Sequence, residues 1–380
     1  MLAPLTAGFV CVLVGFTSSY PIVVAAADAM GMSRDQIVTL TLALAVAMGL
    51  TTMLPSLWLR IPVVTAWSTP GAALLVTSVE DVALGDAIGA FVVCGVLLTL
   101  AGATGWFARS MQRLPVALAS ALLAGVLVRF GMGAFAALET AFTVVAPMLA
   151  AWLVLRRLVP RYCIALVLLT GVAAASLTGA LAPVSLAPLP PMPVPITPSF
   201  DWSAIVGVSV PLFVVTMASQ NLPGVATLHA SGYRAAPVST LVALTGATTL
   251  VLAPFGVFAV NLAAITAAIC MGEEAHPDPA KRWQAAVCAG LFYLLVAAGS
   301  ASIVDLFSAL PRELVATVAG LALLPTIGRG LAVALGEERE RDAALVTFLV
   351  TASGLTLLGI GSAFWAVVAG VVVRLGVPQR

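Results

Sequence analysis

Residues 61–76 read IPVVTAWSTPGAALLV, apolar but too short and broken for an ordinary membrane helix, which needs about 20 apolar residues in a row. Its first half, 61–67, is rich in β-branched residues and contains Pro62, which suits an extended chain. Ser68-Thr69-Pro70 then has the form of a helix start. Ser or Thr caps free amides, and proline costs nothing in the first turn, where its missing N–H would have no partner. The reading is an extended stretch feeding a half-helix from residue 70 to about 77. A second segment, PFGVFAVNLAAITAAI at 254–269, repeats the plan: Gly256, Phe255 and Phe258 precede Asn261, which is expected to cap a helix over 262–269. In hydrocarbon such backbone is tolerated only against protein or a water-filled cavity. The half-helix N-termini, each carrying about half an elementary charge, suit an anion.

The surrounding chain has the composition of a protein solvated by lipid. Of 380 residues, 61% are hydrophobic and 9% charged, and mean hydropathy is +1.13. Ordinary soluble domains carry about 25% charged residues. The net charge of +1 offers no field for nucleic acid, and the single lysine, Lys281, follows Ala280, so no phosphate-binding Gly-Lys loop exists. The five cysteines lie apart in apolar stretches and read as small hydrophobes. Glu273, Glu274, His276 and Asp278 cluster in a charged loop beside prolines, which reads as solvated surface and not as a metal site. No cofactor is expected. The N-terminus lacks a basic region and a cleavage site, so it reads as a retained span.

Apolar runs divide at 4–27, 36–58, 85–107, 113–133, 138–155, 161–182, 203–229, 237–254, 281–304, 312–335, 342–360 and 362–376, and the interrupted segments 61–78 and 257–272 bring the crossings to fourteen. With a cytoplasmic N-terminus this count puts fourteen of the seventeen basic residues inside, leaving Arg34, Arg129 and Arg312 outside. Trp58, Trp106 and Trp283 suit interfacial anchoring; Trp67 does not, and is expected to face ligand. A Pro-rich outer linker, 183–202, separates residues 1–182 from 203–380. RLPVALASALLAG at 113–125 resembles ALPRELVATVAG at 309–320, and SSYPIVVAAADAMG in the first span resembles SQNLPGVATLHASG in the eighth. Seven spans per half, an odd number, imply an inverted-topology repeat, the plan of many secondary transporters. The expected fold class is therefore an all-α polytopic membrane protein in a 7+7 inverted repeat.

Polar residues accompany the interrupted segments. Thr216, Gln220, Pro223 and Thr227 recur at steps of four, three and four, which puts them on one helix face, and Pro223 frees the carbonyl of Ser219. In the first span Ser18, Ser19 and Tyr20 precede Pro21. Such groups also serve as packing glue between membrane helices. The placing of Gln220-Asn221 beside Pro223-Gly224, opposite Asn261, favours a binding role. Candidate substrate contacts are thus Ser18, Ser19, Tyr20, Trp67, Ser68, Thr69, Gln220, Asn221, Gly224, Phe258 and Asn261. No carboxylate falls at mid-depth; Asp28, Asp305 and Glu139 lie near outer ends and His229 near an inner end. These four are the side-chain candidates for carrying a proton.

The strings ASQNLPGVATLHASGY (218–233), NLAAITAAICMGEEAHPDPAKRW (261–283) and AWSTPGAALL (66–75) resemble the benzoate:proton symporter (BenE) family, and the resemblance covers the whole chain. That family is similar in plan to the nucleobase:cation symporters. The resemblance implies a core domain of spans 1–4 and 8–11, a gate domain of spans 5–7 and 12–14, and substrate between them. The nucleobase carriers place acidic residues in spans eight and ten. Here those neighbourhoods hold Gln220-Asn221 and Asn261, a change that suits an anionic ligand and leaves the proton-coupling group open.

The function expected is import of benzoate or a similar aromatic carboxylate with a proton, by alternating access. Transport of another small organic anion or nucleobase-like solute, or a small-solute channel, stays open. An enzyme is not expected, since no nucleophile–base pair or metal set falls at depth. Expected partners are a small-molecule aromatic carboxylate, protons and membrane lipid, with a homodimer left open and no nucleic acid. The expected location is the cell inner membrane, both termini cytoplasmic. Arg157 and Glu338 are then cytoplasmic and the 183–200 linker outside. Cysteine labelling at positions 157 and 190 in a cysteine-free background checks this; equal access from one side would refute an odd number of spans per half.

Overall fold

A computed structural model describes residues 2–79, 82–105, 116–160, 162–182, 192–357 and 362–376. Trp106, Arg109, Arg113, Arg161, Arg380 and the 183–191 part of the linker lie outside them, as do the ends of several expected spans, including 358–360. In the first half, α1 is Leu2–Ala29, α2 Arg34–Leu59, β1 Thr65–Trp67, α3 Thr69–Ser78, α4 Leu84–Ala103, α5 Val116–Thr140, α6 Phe142–Leu158 and α7 Cys163–Leu177. In the second, α8 is Trp202–Ala230, α9 Val238–Leu252, β2 Val260–Leu262, α10 Ile265–Met271, α11 Trp283–Ala298, α12 Ser300–Ser308, α13 Arg312–Gly336, α14 Arg341–Ser353 and α15 Ser362–Gly376. Among the described residues, seven helices are long and apolar enough to cross a membrane by themselves, or eight with the bent pair α11–α12.

The interrupted segments meet. β1 and β2 pair antiparallel, Ala66 opposite Asn261, with Thr65 opposite Leu262 and Trp67 opposite Val260. The first segment runs as its residues suggest: Ser68 is the N-cap of α3, and its Oγ accepts the Gly71 amide at 3.1 Å. The second departs from expectation. Asn261 does not cap a helix over 262–269; it lies inside β2, and α10 starts only at Ile265, with Ala264 before it and no side-chain cap. Strand pairing explains the delay, because it continues past Leu262 to the Ala263 amide, which donates to the Val64 carbonyl at 2.9 Å. A purely all-α description therefore omits this short ladder.

Helices satisfy the ladder's outer edges. The Thr65 amide donates to Thr52 Oγ1 of α2 at 3.1 Å, the Val260 amide to Thr249 Oγ1 of α9 at 2.9 Å, and the Leu262 amide to Asn221 Oδ1 of α8 at 2.9 Å. Two further expectations change. The span at 203–229 is not a regular α-helix: residues Ile205–Ser209 and Met217–Asn221 are π-helical. The wider turn shifts the register after Thr216, so the four-residue stripe inferred from a 3.6 period does not hold. The span at 281–304 breaks at Gly299, where α12 turns 70° from the preceding helix.

The most extensive helix contacts join α5 to α13, α4 to α9 and α2 to α11, so each half packs mainly on the other. The described part of the linker is non-helical and strapped down, with the Val194 amide on Thr39 Oγ1, Ile196 on the Pro254 carbonyl and Ser199 on the Gly85 carbonyl. Backbones of α4 and α9 touch at Gly102, where a methyl group would stand 2.2 Å from the Ala243 amide nitrogen. Gly102→Leu is expected to destabilise by about 1–3 kcal/mol through overpacking, seen as a fall of several degrees in the thermal midpoint of the purified protein. Gly133→Ala, where nothing lies within 4 Å, should leave that midpoint unchanged or raise it.

Candidate functional site

The two strand-to-helix turns face one cavity of about 430 Å³, within the usual range for a small-molecule site. Its walls come from α1 (Gly15, Ser18, Ser19), the first interrupted segment (Trp67, Thr69, Pro70), α8 (Ser219 and Gln220 of its π-helical turn, and Pro223 just after it), the start of α10 (Ala264, Ile265, Thr266), α5 (Ser120, Leu123) and α13 (Thr326, Arg329). Tyr293 of α11 also lines it. The surface is mostly apolar, with a few polar groups pointing in.

Of the residues singled out from sequence, Ser18, Ser19, Trp67, Thr69 and Gln220 line this cavity. The Trp67 indole is fixed: Nε1 donates to Ser19 Oγ at 3.0 Å, and Phe16 packs edge-on at 4.9 Å between ring centroids. Ser19 Oγ in turn donates to the Gly15 carbonyl at 2.7 Å. The Gln220 amide and Thr69 hydroxyl have no hydrogen-bond partner among the described residues, so both are open to a ligand.

The others stand behind the wall. Tyr20 is fully buried, its hydroxyl 2.7 Å from Thr41 Oγ1 and its ring against Trp67 and Phe307. Ser68 Oγ is occupied as the cap of α3 and receives a second bond from Thr216 Oγ1 at 3.0 Å. Asn221 turns inward, its Oδ1 on Leu262 and its Nδ2 3.2 Å from Met217 Sδ. Gly224 lets α8 approach β2: a Cβ there would meet Leu262 Cβ at 2.7 Å. Phe258 is buried edge-on against Phe91.

Asn261 differs from all of these. It is fully buried, and neither Oδ1 nor Nδ2 has a hydrogen-bond partner among the described residues. Leaving a buried polar group without a partner costs about 1–3 kcal/mol.

No acidic residue appears among the described residues lining the cavity, and the one cation is Arg329. The four proton-carrier candidates lie elsewhere. Asp305 is locked to Arg34, with Nε and Nη2 each 2.7 Å from a carboxylate oxygen. Asp28 ends α1 within electrostatic reach of Arg312, and Glu139 and His229 are exposed near the ends of α5 and α8. Two features of the site escaped sequence reading. The π-helical turn leaves no residue signature. Arg329, inside the expected span 312–335, was counted only as a cytoplasmic-side charge and not as a site residue; its spacing from Thr326 was the available signal.

Over residues 1–375 the chain matches the family described as benzoate membrane transport protein, BenE. Inner membrane protein YdcO of Escherichia coli (strain K12) is 50% identical over 366 residues, covering 96% of this chain and 93% of that one. The benzoate membrane transport protein of Acinetobacter baylyi (strain ATCC 33305 / BD413 / ADP1) is 38% identical over 364 residues, covering 96% and 92%. The fold is similar to the transmembrane domain of a cyanobacterium bicarbonate transporter, BicA, with a TM-score of 0.61 at 11% identity over 99% of this chain and 97% of that one. It is also similar to the murine anion transporter Slc26a9 in its inward-facing state, with a TM-score of 0.62 at 11% identity over 99% and 68%. The sequence match spans almost the whole chain and the helical fold is that of membrane transporters, so this protein belongs to the BenE benzoate membrane transport family.

Proposed function

We propose that this chain imports benzoate or a similar small aromatic carboxylate together with a proton, by alternating access in the cell inner membrane. The carrying observation is the cavity at the crossing of the two interrupted segments, which no acidic residue lines among the described residues. Trp67 and Tyr293 offer faces for an aromatic ring. Gln220, Thr69 and the uncapped start of α10 offer donors for a carboxylate. The nucleobase carriers' acidic pair is replaced here by amides, which removes the charge that would repel such an anion.

Fourteen crossings in a 7+7 inverted repeat fit this reading. Each half supplies one extended stretch and one half-helix, and the pairs α2–α11 and α4–α9 are counterparts under such a repeat. Core spans 1–4 and 8–11 then carry the ladder, and gate spans 5–7 and 12–14 supply α5 and α13 to the far wall. Both termini are cytoplasmic in this arrangement. Gln220→Ala should weaken benzoate binding by about 10- to 150-fold, the worth of a hydrogen bond to a charged group, and Asn261→Ala should weaken it through the ladder behind the cavity wall, each with expression intact. Ser68→Ala should also weaken it, through the start of α3. Unchanged binding in all three would mean that these groups only pack helices together.

Moving a lone carboxylate inward works against an inside-negative potential at about 2.3 kcal/mol per charge per 100 mV. Co-transport of a proton cancels that cost. With no acidic side chain among the described residues lining the cavity, the proton rides on the substrate carboxylate where that group is clear of Arg329, because desolvation raises its affinity for a proton while a neighbouring cation lowers it. Asp28, Asp305, Glu139 and His229 are the rival carriers. Proteoliposome uptake of labelled benzoate, with and without an imposed proton gradient, tests the function itself: saturable accumulation driven by the gradient is expected, and flux merely proportional to concentration would indicate a channel. If Asp28→Asn, Asp305→Asn, Glu139→Gln or His229→Gln still exchanges benzoate but no longer accumulates it, that side chain carries the proton.

A further inference from the structure

Arg329 lies within α13, about two turns before its end at Gly336. The cavity is lined from this helix by Ala322, Leu323, Thr326, Arg329, Gly330 and Val333, whose steps of three and four define one helix face. Arg329 thus stands on the cavity-lining face of the helix, and its side chain is exposed there and not buried against protein. Some cations are engaged, Arg34 with Asp305, Arg374 with Glu340, Arg282 with the Met271 and His276 carbonyls and Arg156 over the Trp152 ring, whereas Arg60, Arg157, Arg234 and Arg339 have no such partner among the described residues and do not line the cavity. Arg329 has no hydrogen bond, ion pair or ring contact among the described residues. Beside it α5 and α13 come close, since a Cβ on Gly330 would stand 3.2 Å from the Ser120 carbonyl oxygen. An ionised residue on a membrane helix costs free energy and calls for a partner, and the cavity wall offers none.

We propose that the partner is the cargo: Arg329 is the charge-selecting residue of the cavity, pairing through its planar fork with the carboxylate of the substrate as it passes between α5 and α13. This rests on the cavity being the path of a small organic anion. Arginine suits the role because its guanidinium matches a carboxylate with two parallel hydrogen bonds and stays charged throughout. A residue there discriminates by charge before the ring is read against Trp67. The ring-facing wall and the charge-facing wall then belong to different groups of helices, and relative movement of these groups delivers or withdraws the cation.

The test uses the full chain in proteoliposomes, with its five cysteines replaced and Ser120→Cys introduced. The probes are anionic and cationic methanethiosulfonates of similar size. Arg329→Gln is expected to lower the anionic-to-cationic ratio of labelling rates by about tenfold, since a lone charge in a cavity concentrates its counter-ion; Arg329→Lys should retain most of it. An unchanged ratio in Arg329→Gln overturns the proposal and means that the side chain reaches out to lipid phosphate or water. In parallel, Arg329→Gln should raise KM for labelled benzoate about tenfold with a smaller change in kcat, and Arg329→Lys should fall between. An unaltered KM in a variant that still transports likewise overturns it. If the parent protein takes up no benzoate, the substrate assignment fails, while the labelling ratio still decides the role of Arg329.

Discussion

Extended backbone inside a membrane has to find every hydrogen bond within the protein, and this requirement organises the centre of the molecule. Two three-residue strands satisfy each other on their inner edges. Their outer edges are satisfied by Thr52, Thr249 and Asn221 from three different helices. A buried amide left open costs about 1–3 kcal/mol, so helices, strands and side-chain acceptors form one unit. Thr51 and Thr65 tighten it with a hydroxyl pair at 2.6 Å. The cavity inherits its position from this arrangement, because the half-helices begin where the strands end.

The two strand-to-helix turns are not equivalent. Ser68 closes the start of α3 and is itself held by Thr216, whereas α10 opens behind Ala264 without a side-chain cap. The first turn is internally satisfied and serves as scaffold, fixing Trp67. The second leaves backbone donors available on the cavity. In a largely apolar site, a few open donors of this kind define the orientation of a polar ligand. Asn261, opposite Ala66 in the ladder, is buried without a hydrogen-bond partner among the described residues.

Local chemistry made part of this legible in the sequence. Ser68-Thr69-Pro70 announced α3 correctly because capping depends only on neighbouring residues. Asn261 misled for the complementary reason: its capping preference is local, while pairing of β2 with a strand 195 residues away is not, and the pairing prevailed. Gln220 and Asn221 are adjacent in the chain, yet one lines the cavity and the other braces β2, because successive residues of a helical turn point in different directions. Composition called for a membrane protein, but whether a serine faces ligand or a neighbouring carbonyl was settled by packing. Tyr20 shows this, its hydroxyl consumed by Thr41.

The described stretch of the linker is fastened at Thr39, Gly85, Asp86 and Pro254, all on or just after α2, α4 and α9. Those same helices hold the ladder. The described stretch of the linker is therefore stitched to these helices and, among the described residues, shares no such fastening with α5 or α13. In mechanical terms it acts as a brace and not as a spring. It stiffens the part that carries the half-helices, adds little resistance to displacement of the helices across the cavity, and leaves bending to segments such as the 70° break at Gly299.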